Sequence, residues 1–310
     1  MHSLTRLTTF GEALLYSPLT YPTYRPRLQN ISSDENTVAI GISIAGKPIG
    51  LGIAETQADK SAQVLSLFVA QAYRHQGFGT ALLTRLEQEL YLEGCKSVEF
   101  VYTTGQTTTS TVEHLLDKCG WSSPQPRRVI CKASTHEMSN APWMRRRWQL
   151  PASYSIFPWV KITPRERSLI QEQEVKSWIH PDLIPFKYEE GLEPINSVGL
   201  RYKGQVVGWL INHRTAPDTI RYSCSYIRPD LQKLGRITFL YIKAVQLQAA
   251  ANIPFGIWTI PLEHTSMVNF AKKHMKPYSI YLQETKGASK LLFSDQELGL
   301  HRCVESMANR

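Results

Sequence analysis

The chain has 310 residues, 42% of them hydrophobic and 20% charged, with a formal net charge of +9. That balance describes a folded protein with room for two domains. No run approaches the roughly 18 apolar residues of a membrane span, and Met1–Arg6 leads into no secretory signal, so a soluble, cytoplasmic protein is expected. The positive charge suits a partner rich in phosphate or carboxylate. No zinc finger, RNP-like motif or long Lys/Arg tract directs that charge toward nucleic acid. Five scattered cysteines (Cys95, Cys119, Cys131, Cys224, Cys303) form no C-x-x-C pair, which argues against a disulfide framework and a metal site alike.

In chain order, Thr37–Ile44, Pro48–Glu55 and Ala62–Val69 are predicted strands by alternation and β-branched content, with Gly46 and the polar Thr56–Ser61 stretch as turns. After Gly77 a helix carries Leu82, Leu83, Leu86 and Leu90 on one face. Ser97–Tyr102 is a further strand, and a helix over about Thr109–Lys118 ends at Gly120. Ser134–Pro158, rich in Ser and Pro, reads as a junction. It contains Arg145-Arg146-Arg147 between Trp143 and Trp148, a solvated basic surface or a dock for an acidic peptide. Pro164–Trp178 reads as a helix with Thr163 as N-cap.

The second half then repeats the first. At an offset of 158, Gly41 falls on Gly199, Gly46 on Gly204, Gly50 on Gly208 and Gly77 on Gly235. Strands are predicted near Val198–Tyr202, Gln205–His213 and Thr219–Ile227. A helix bearing Leu240, Ala244 and Leu247 follows, then a strand over Phe255–Ile260 and a helix around Ser266–His274. Four glycines in one register indicate a duplicated α/β domain, divided near 1–150 and 151–310.

The chemistry concentrates in Leu65-Ser66-Leu67-Phe68-Val69-Ala70-Gln71-Ala72-Tyr73-Arg74-His75-Gln76-Gly77-Phe78-Gly79-Thr80, where a buried strand ends and R-H-Q-G-F-G opens a helix. The first turn of a helix leaves backbone N–H groups unpaired, and its dipole favours anions. Gly77 and Gly79 clear side chains from that end, and Arg74 adds a positive charge.

This stretch resembles the acetyl-CoA loop of the GNAT superfamily, with its Q/R-x-x-G-x-G/A pattern set between strand and helix. The resemblance extends over both halves. It implies two tandem GNAT-like domains, each a mixed, mostly antiparallel sheet with a strand–loop–helix acyl-CoA site and helices on both faces. It also implies acyl transfer from acetyl-CoA, or a longer acyl-CoA, to an amine of a small molecule or peptide, including fatty-acyl transfer in lipopeptide maturation. By the resemblance, pantetheine lies between Ala62–Val69 and Ser97–Tyr102. Leu67 and Val69 would pair with its amides, with Phe68 between them also cofactor-binding, the backbone N–H near Leu67 would stabilise the oxyanion, and Arg74, His75, Gln76, Gly77, Phe78, Gly79 and Thr80 would hold the phosphates.

One departure concerns the tyrosine that many members place on the helix after the fifth strand, because Leu116 occupies that position here. Candidates for the base are Glu55, Glu99 and Tyr102. The second loop, Gln232-Lys233-Leu234-Gly235-Arg236-Ile237, carries a β-branched residue where the pattern asks for a small one. It reads as a weakened cofactor site, with Arg236 compensating by its charge, or as a non-binding domain that shapes an acceptor pocket from His213, Tyr222, Tyr226, His264 and His274. The contrasting class is a non-catalytic scaffold that binds acyl-CoA or a protein partner.

Overall fold

A computed structural model describes residues 2–145, 149–175, 179–232 and 235–292. The strands are β1 (His2–Arg6), β2 (Thr37–Ile44), β3 (Lys47–Thr56), β4 (Ser61–Val69), β5 (Ser97–Thr103), β6 (Gln125–Ser134), β7 (Tyr154–Pro158), β8 (Val198–Tyr202), β9 (Gln205–Ala216), β10 (Thr219–Ile227), β11 (Phe255–Pro261) and β12 (Tyr281–Leu291). The α-helices are α1 (Phe10–Tyr16), α2 (Arg25–Gln29), α3 (Phe78–Leu92), α4 (Thr109–Lys118), α5 (Thr135–Ser139), α6 (Pro142–Arg145), α7 (Pro164–Val175), α8 (Pro229–Gln232), α9 (Ile237–Ala250) and α10 (Thr265–Phe270).

These elements form two compact units, residues 2–127 with 285–292 and residues 128–284. The first unit has the strand order β1-β2-β3-β4-β5-β12 and the second β6-β11-β10-β9-β8-β7. Within each, one pair is parallel, β4 with β5 and β10 with β11; the others are antiparallel. This is the mixed, mostly antiparallel sheet expected. The units differ from a division at 150/151 because they exchange final strands. Residues 285–291 pair with β5 in the first unit, and residues 128–134 pair with β11 in the second. Ser134–Pro158 is therefore more than a linker, since it holds α5, α6 and β7. Arg146, Arg147, Trp148 and Trp178 lie outside the described residues, as does Cys303.

Each sheet is buried on both faces. Along β2, Val38, Ile40 and Ile42 pack toward Leu82, Leu83, Leu86 and Leu90 of α3, while Ala39 joins Ala13 and Tyr16 of α1 and Leu28 of α2. Alternate residues of a strand face opposite ways, so this run had to be apolar throughout. The second unit is layered likewise, with Leu240 and Ala244 of α9 on one face and Trp159, Ile170 and Trp209 on the other. In the first unit Lys290 ties β12 to α3, donating to Glu87 Oε2 at 2.5 Å and to the Cys119 carbonyl at 2.7 Å. The Trp121 indole also donates to Glu87, at 2.7 Å. Buried thiols behave as inert core groups, and burial pushes Cys131 up to about 11 and Cys224 up to about 12.

The 158-residue repeat is visible atom by atom. β3 against β4 leaves Leu65 as an extra residue, and β9 against β10 leaves Ser223. A Cβ on Gly50 would meet the Phe68 carbonyl at 2.9 Å, and one on Gly208 the Tyr226 carbonyl at 2.8 Å. Glycine is required at both because the backbones approach too closely for a side chain.

In the second unit α7 opens with a capping box. The Thr163 N–H donates to Glu166 Oε2 at 2.8 Å, and the Glu166 N–H donates back to Thr163 Oγ1 at 3.3 Å. Arg201 on β8 donates to both Glu166 oxygens, at 2.5 and 3.1 Å. These bonds hold the Glu166 carboxyl at about 2, below its ordinary 4.5. Because the folded-state value is depressed, the stabilisation is complete above pH 4.5 and is lost as pH falls toward 2. Urea unfolding across that window should show this loss in the wild type and a flatter profile in Arg201→Met, the difference being at most about 3 kcal/mol because the Thr163 bonds remain. Equal slopes would show that the pair contributes nothing.

Candidate active site

The loop between β4 and α3 forms an open anion cradle. Gly77 caps α3 in the left-handed region at φ +83°, and no side chain caps its first turn. The backbone donors of that turn are left for an incoming group. A Cβ on Gly79 would meet only Leu115 Cδ2, at 3.7 Å. Arg74 folds back so that its Nε donates to the Val69 carbonyl at 2.9 Å, and its guanidinium lies 5.8 Å from the Phe68 ring centre. Gln76 Nε2 donates to the Ala72 carbonyl at 3.2 Å. His75 is exposed and has a positive φ of 59°, Phe78 meets the His2 ring edge-on at 5.5 Å, and Thr80 lies in the same first turn. The loop residues are thus brought together at one helix end.

Beside the cradle a cleft opens between β4 and β5. Their parallel pairing runs only from Ser61–Ser97 to Val64–Phe100, and the bulge at Leu65 follows at once. A bulge adds local twist and bends its strand. Past it, Leu65–Val69 has no β5 partner, and a cavity of about 490 Å³ lies along Leu65, Ser66, Leu67, Phe100 and Tyr102. Tyr21 and Tyr24 close one side, and Thr109 and Val112 of α4 another. Inside, the buried Thr20 hydroxyl donates to Ser66 Oγ at 3.0 Å. Periodicity carries no signal for a bulge, and Leu65 reads as one more strand residue.

Of the three base candidates, the structure brings only Tyr102 to this cleft. Its hydroxyl donates to Glu113 Oε1 on α4 at 3.1 Å, and Lys286 on β12 donates to the same oxygen at 2.8 Å. Burial, then the hydrogen bond to Glu113, holds the phenol well above its ordinary range. The Lys286 bond lowers Glu113 in turn. Glu113 drew no attention in the sequence because neither β5 nor β12 could be placed against α4 beforehand. Glu55 lies elsewhere: it pairs across from Gln63 and meets Arg27 at 2.6 Å. That is four residues along β4 from Leu67, about 13 Å at strand rise. Glu99 is likewise at the paired end, bound by Arg127. Leu116 is wholly buried in the core.

The second unit keeps this geometry with different side chains. Gln232 Nε2 donates to the Ile227 carbonyl at 3.0 Å, the counterpart of Arg74 on Val69. Gly235 has a φ of +64°, and Ile237 begins α9. Lys233 and Leu234 lie outside the described residues. Arg236 is turned onto the Tyr154 and Phe239 rings, at 4.9 and 5.9 Å, rather than held out as a free charge. Of the residues expected to line a pocket here, Tyr222 and His264 do so. His213 is held by Ser223 and the Glu190 carbonyl, Tyr226 stacks on Trp209, and the His274 carbonyl accepts from Trp143.

Residues 7–121 match the model of the acetyltransferase (GNAT) family. The fold is similar over nearly the whole chain to a tandem GNAT protein from the clavulanic acid biosynthesis pathway, at 13% identity and a TM-score of 0.62, covering 95% of this chain and 100% of that one. It is similar too to a GCN5-related N-acetyltransferase from Sphaerobacter thermophilus, at 12% identity and a TM-score of 0.62, covering 94% and 96%. No curated protein matches the chain in sequence. The family match thus marks residues 7–121 as a GNAT acetyltransferase domain, of a family that uses acyl-CoA as co-substrate, and the chain as a whole has the fold of a tandem GNAT protein. Among the described residues no helix is long and apolar enough to cross a membrane.

The two loops set up an internal comparison. Arg74→Gln should keep the bond to the Val69 carbonyl, as Gln232 does to Ile227, while removing the charge. Gly79→Ala adds a methyl group at the cradle in ordinary contact with Leu115 Cδ2. Both variants should melt like the wild type when free, yet gain clearly less thermal stabilisation from acetyl-CoA. Gly77→Ala should instead lose about 1–2 kcal/mol of folding stability, because a Cβ is disfavoured at positive φ. Full stabilisation of both Arg74→Gln and Gly79→Ala by acetyl-CoA would remove the loop from the binding site.

Proposed function

We propose that the first unit transfers an acyl group, acetyl by default, from acyl-CoA to an amine by direct attack in a ternary complex. The observation that carries this reading is the parting of β4 from β5 beside an uncapped glycine-lined helix end. The cradle at Arg74 and residues 75–80 takes the phosphates. Pantetheine lies along Leu67, Phe68 and Val69, where β4 has no β5 partner, and the backbone N–H near Leu67 receives the developing oxyanion. The amine nitrogen bonds to the thioester carbon, the C–S bond breaks, and the electron pair leaves on CoA sulfur.

The attacking amine must shed a proton. Tyr102 is suited to relay it rather than to act as a free base, because its phenol stays protonated at neutral pH. Its oxygen accepts the amine proton as its own proton passes to Glu113, whose side chain is one-third exposed and can release it to water. Lys286 keeps Glu113 ionised and ready to receive.

The acceptor, small molecule or peptide, enters past Tyr21, Tyr24 and Gln106 at the cleft's rim. Acyl length is read by a series of thioesters from acetyl to palmitoyl, where preference for a long chain would favour the lipopeptide type of acceptor.

Steady-state assays of thiol release test the reading. Tyr102→Phe and Glu113→Gln should each lower kcat by about 100-fold near neutral pH, within the range for general acid–base groups, with KM for acyl-CoA unchanged. The deficit should shrink as pH rises, since the acceptor then arrives already deprotonated. A deficit that is constant with pH would reject the relay. No thiol release with any acyl-CoA and amine would favour the scaffold.

A further inference from the structure

In the second unit the gap between β10 and β11 holds a cavity of about 370 Å³ that none of the reactions above uses. β10 pairs with β11 from Thr219–Phe255 to Tyr222–Trp258 and then parts from it at the Ser223 bulge. A separate cavity of about 840 Å³ lies along Gln232, Gly235, Ile237 and Thr238. Tyr241 and Ser225 line both. The Tyr241 hydroxyl donates to Ser225 Oγ at 2.9 Å, bridging α9 and β10 at the boundary. By the repeat, Tyr241 stands where the first unit has Leu83, and Ser225 where it has Leu67. The hydroxyl bridge stands between the two cavities.

The inner cavity has its own chemistry. Its floor is the buried stack of Tyr222 on Trp258, 4.3 Å between ring centres, with Ile260 beside it. The Trp258 side chain is 3% exposed, and its indole N–H has no hydrogen-bond partner. A buried donor left unpaired is costly, so such a group asks for an acceptor. At the mouth stand Arg221, Arg128 and His264, against the single carboxylate of Asp182. Arg221 Nε donates to Ser223 Oγ at 3.2 Å, and Arg221 has no ion pair among the described residues. Two guanidinium groups above an aromatic floor suit a ligand with an anionic head and an apolar body.

We propose that this cavity binds a small aromatic or aliphatic carboxylic acid. Its carboxylate meets Arg221 and Arg128 and accepts from the Trp258 indole N–H, and its body lies over the Tyr222–Trp258 stack. The site is independent of the acyl-CoA reading of the first unit.

Calorimetric titration of the full chain with benzoate and with hexanoate tests it. At least one acid should bind saturably at a single site. Benzyl alcohol and inorganic phosphate should each bind at least about tenfold more weakly, lacking the charge or the apolar body. Arg221→Gln should weaken the acid by at least about tenfold, while its thermal stabilisation by acetyl-CoA stays that of the wild type. Trp258→Phe, which keeps the stack but removes the N–H, should also weaken it; if that variant does not fold, Arg221→Gln decides alone. The proposal is overturned by the absence of saturable binding for both acids, or by wild-type affinity in a folded variant. Equal binding of the alcohol or of phosphate overturns it too, as does displacement of the acid by acetyl-CoA, which would make the cavity a second CoA site.

Discussion

A parallel strand pair can be interrupted without unfolding its sheet only if something else holds the two strands. In the first unit that constraint governs the molecule. β4 gives up β5 after Val64, yet it stays bonded to β3 on its other edge through Gly50–Val69. β5 in turn is bonded along its whole length to β12, from Thr103–Thr285 to Ser97–Leu291. Each strand of the gap therefore has one full partner, and the opening costs only the main-chain bonds between them. Those unmet groups on β4 are what a ligand backbone can use.

This explains why the last strand matters so much to a site it does not line. Lys290 anchors β12 to Glu87 on α3, and Lys286 anchors it to Glu113 on α4. The same strand that closes the sheet thus sets the charge state of the carboxylate behind Tyr102. The exchange of final strands between the units makes the proposed proton relay depend on residues about 170 positions downstream of those it serves.

The duplication shows what divergence does to one geometry. Both units retain the bulge, the glycine facing the strand end beyond it and the side-chain bond from the loop back to that strand end. What changed is local: Arg74 becomes Gln232, Gly79 becomes Ile237, and Leu83 becomes Tyr241. Backbone features depend on many paired residues and resist single substitutions, whereas cofactor affinity depends on a few side chains and can be lost one at a time. The second cleft persists as space with a different lining, aromatic beneath and basic above.

Much of this was legible in the sequence. Thr109–Lys118, Val198–Tyr202 and Thr219–Ile227 are read to the residue, because short-range periodicity follows directly from side-chain order. The strand–loop–helix form around Arg74–Thr80 was legible for the same reason, since it belongs to one contiguous segment. Glu55 and Glu99 are candidates by sequence but lie away from the cleft, and the sequence carries no signal for Glu113 or Lys286. Their relevance depends on which strand lies beside which, and on where β4 leaves β5. Strand exchange, a one-residue bulge and a carboxylate shared between Tyr102 and a lysine 173 residues away from it are products of long-range pairing. The order of residues along the chain determines local form; only the folded sheet decides which distant groups meet, because that choice rests on the burial and hydrogen bonding of the whole unit.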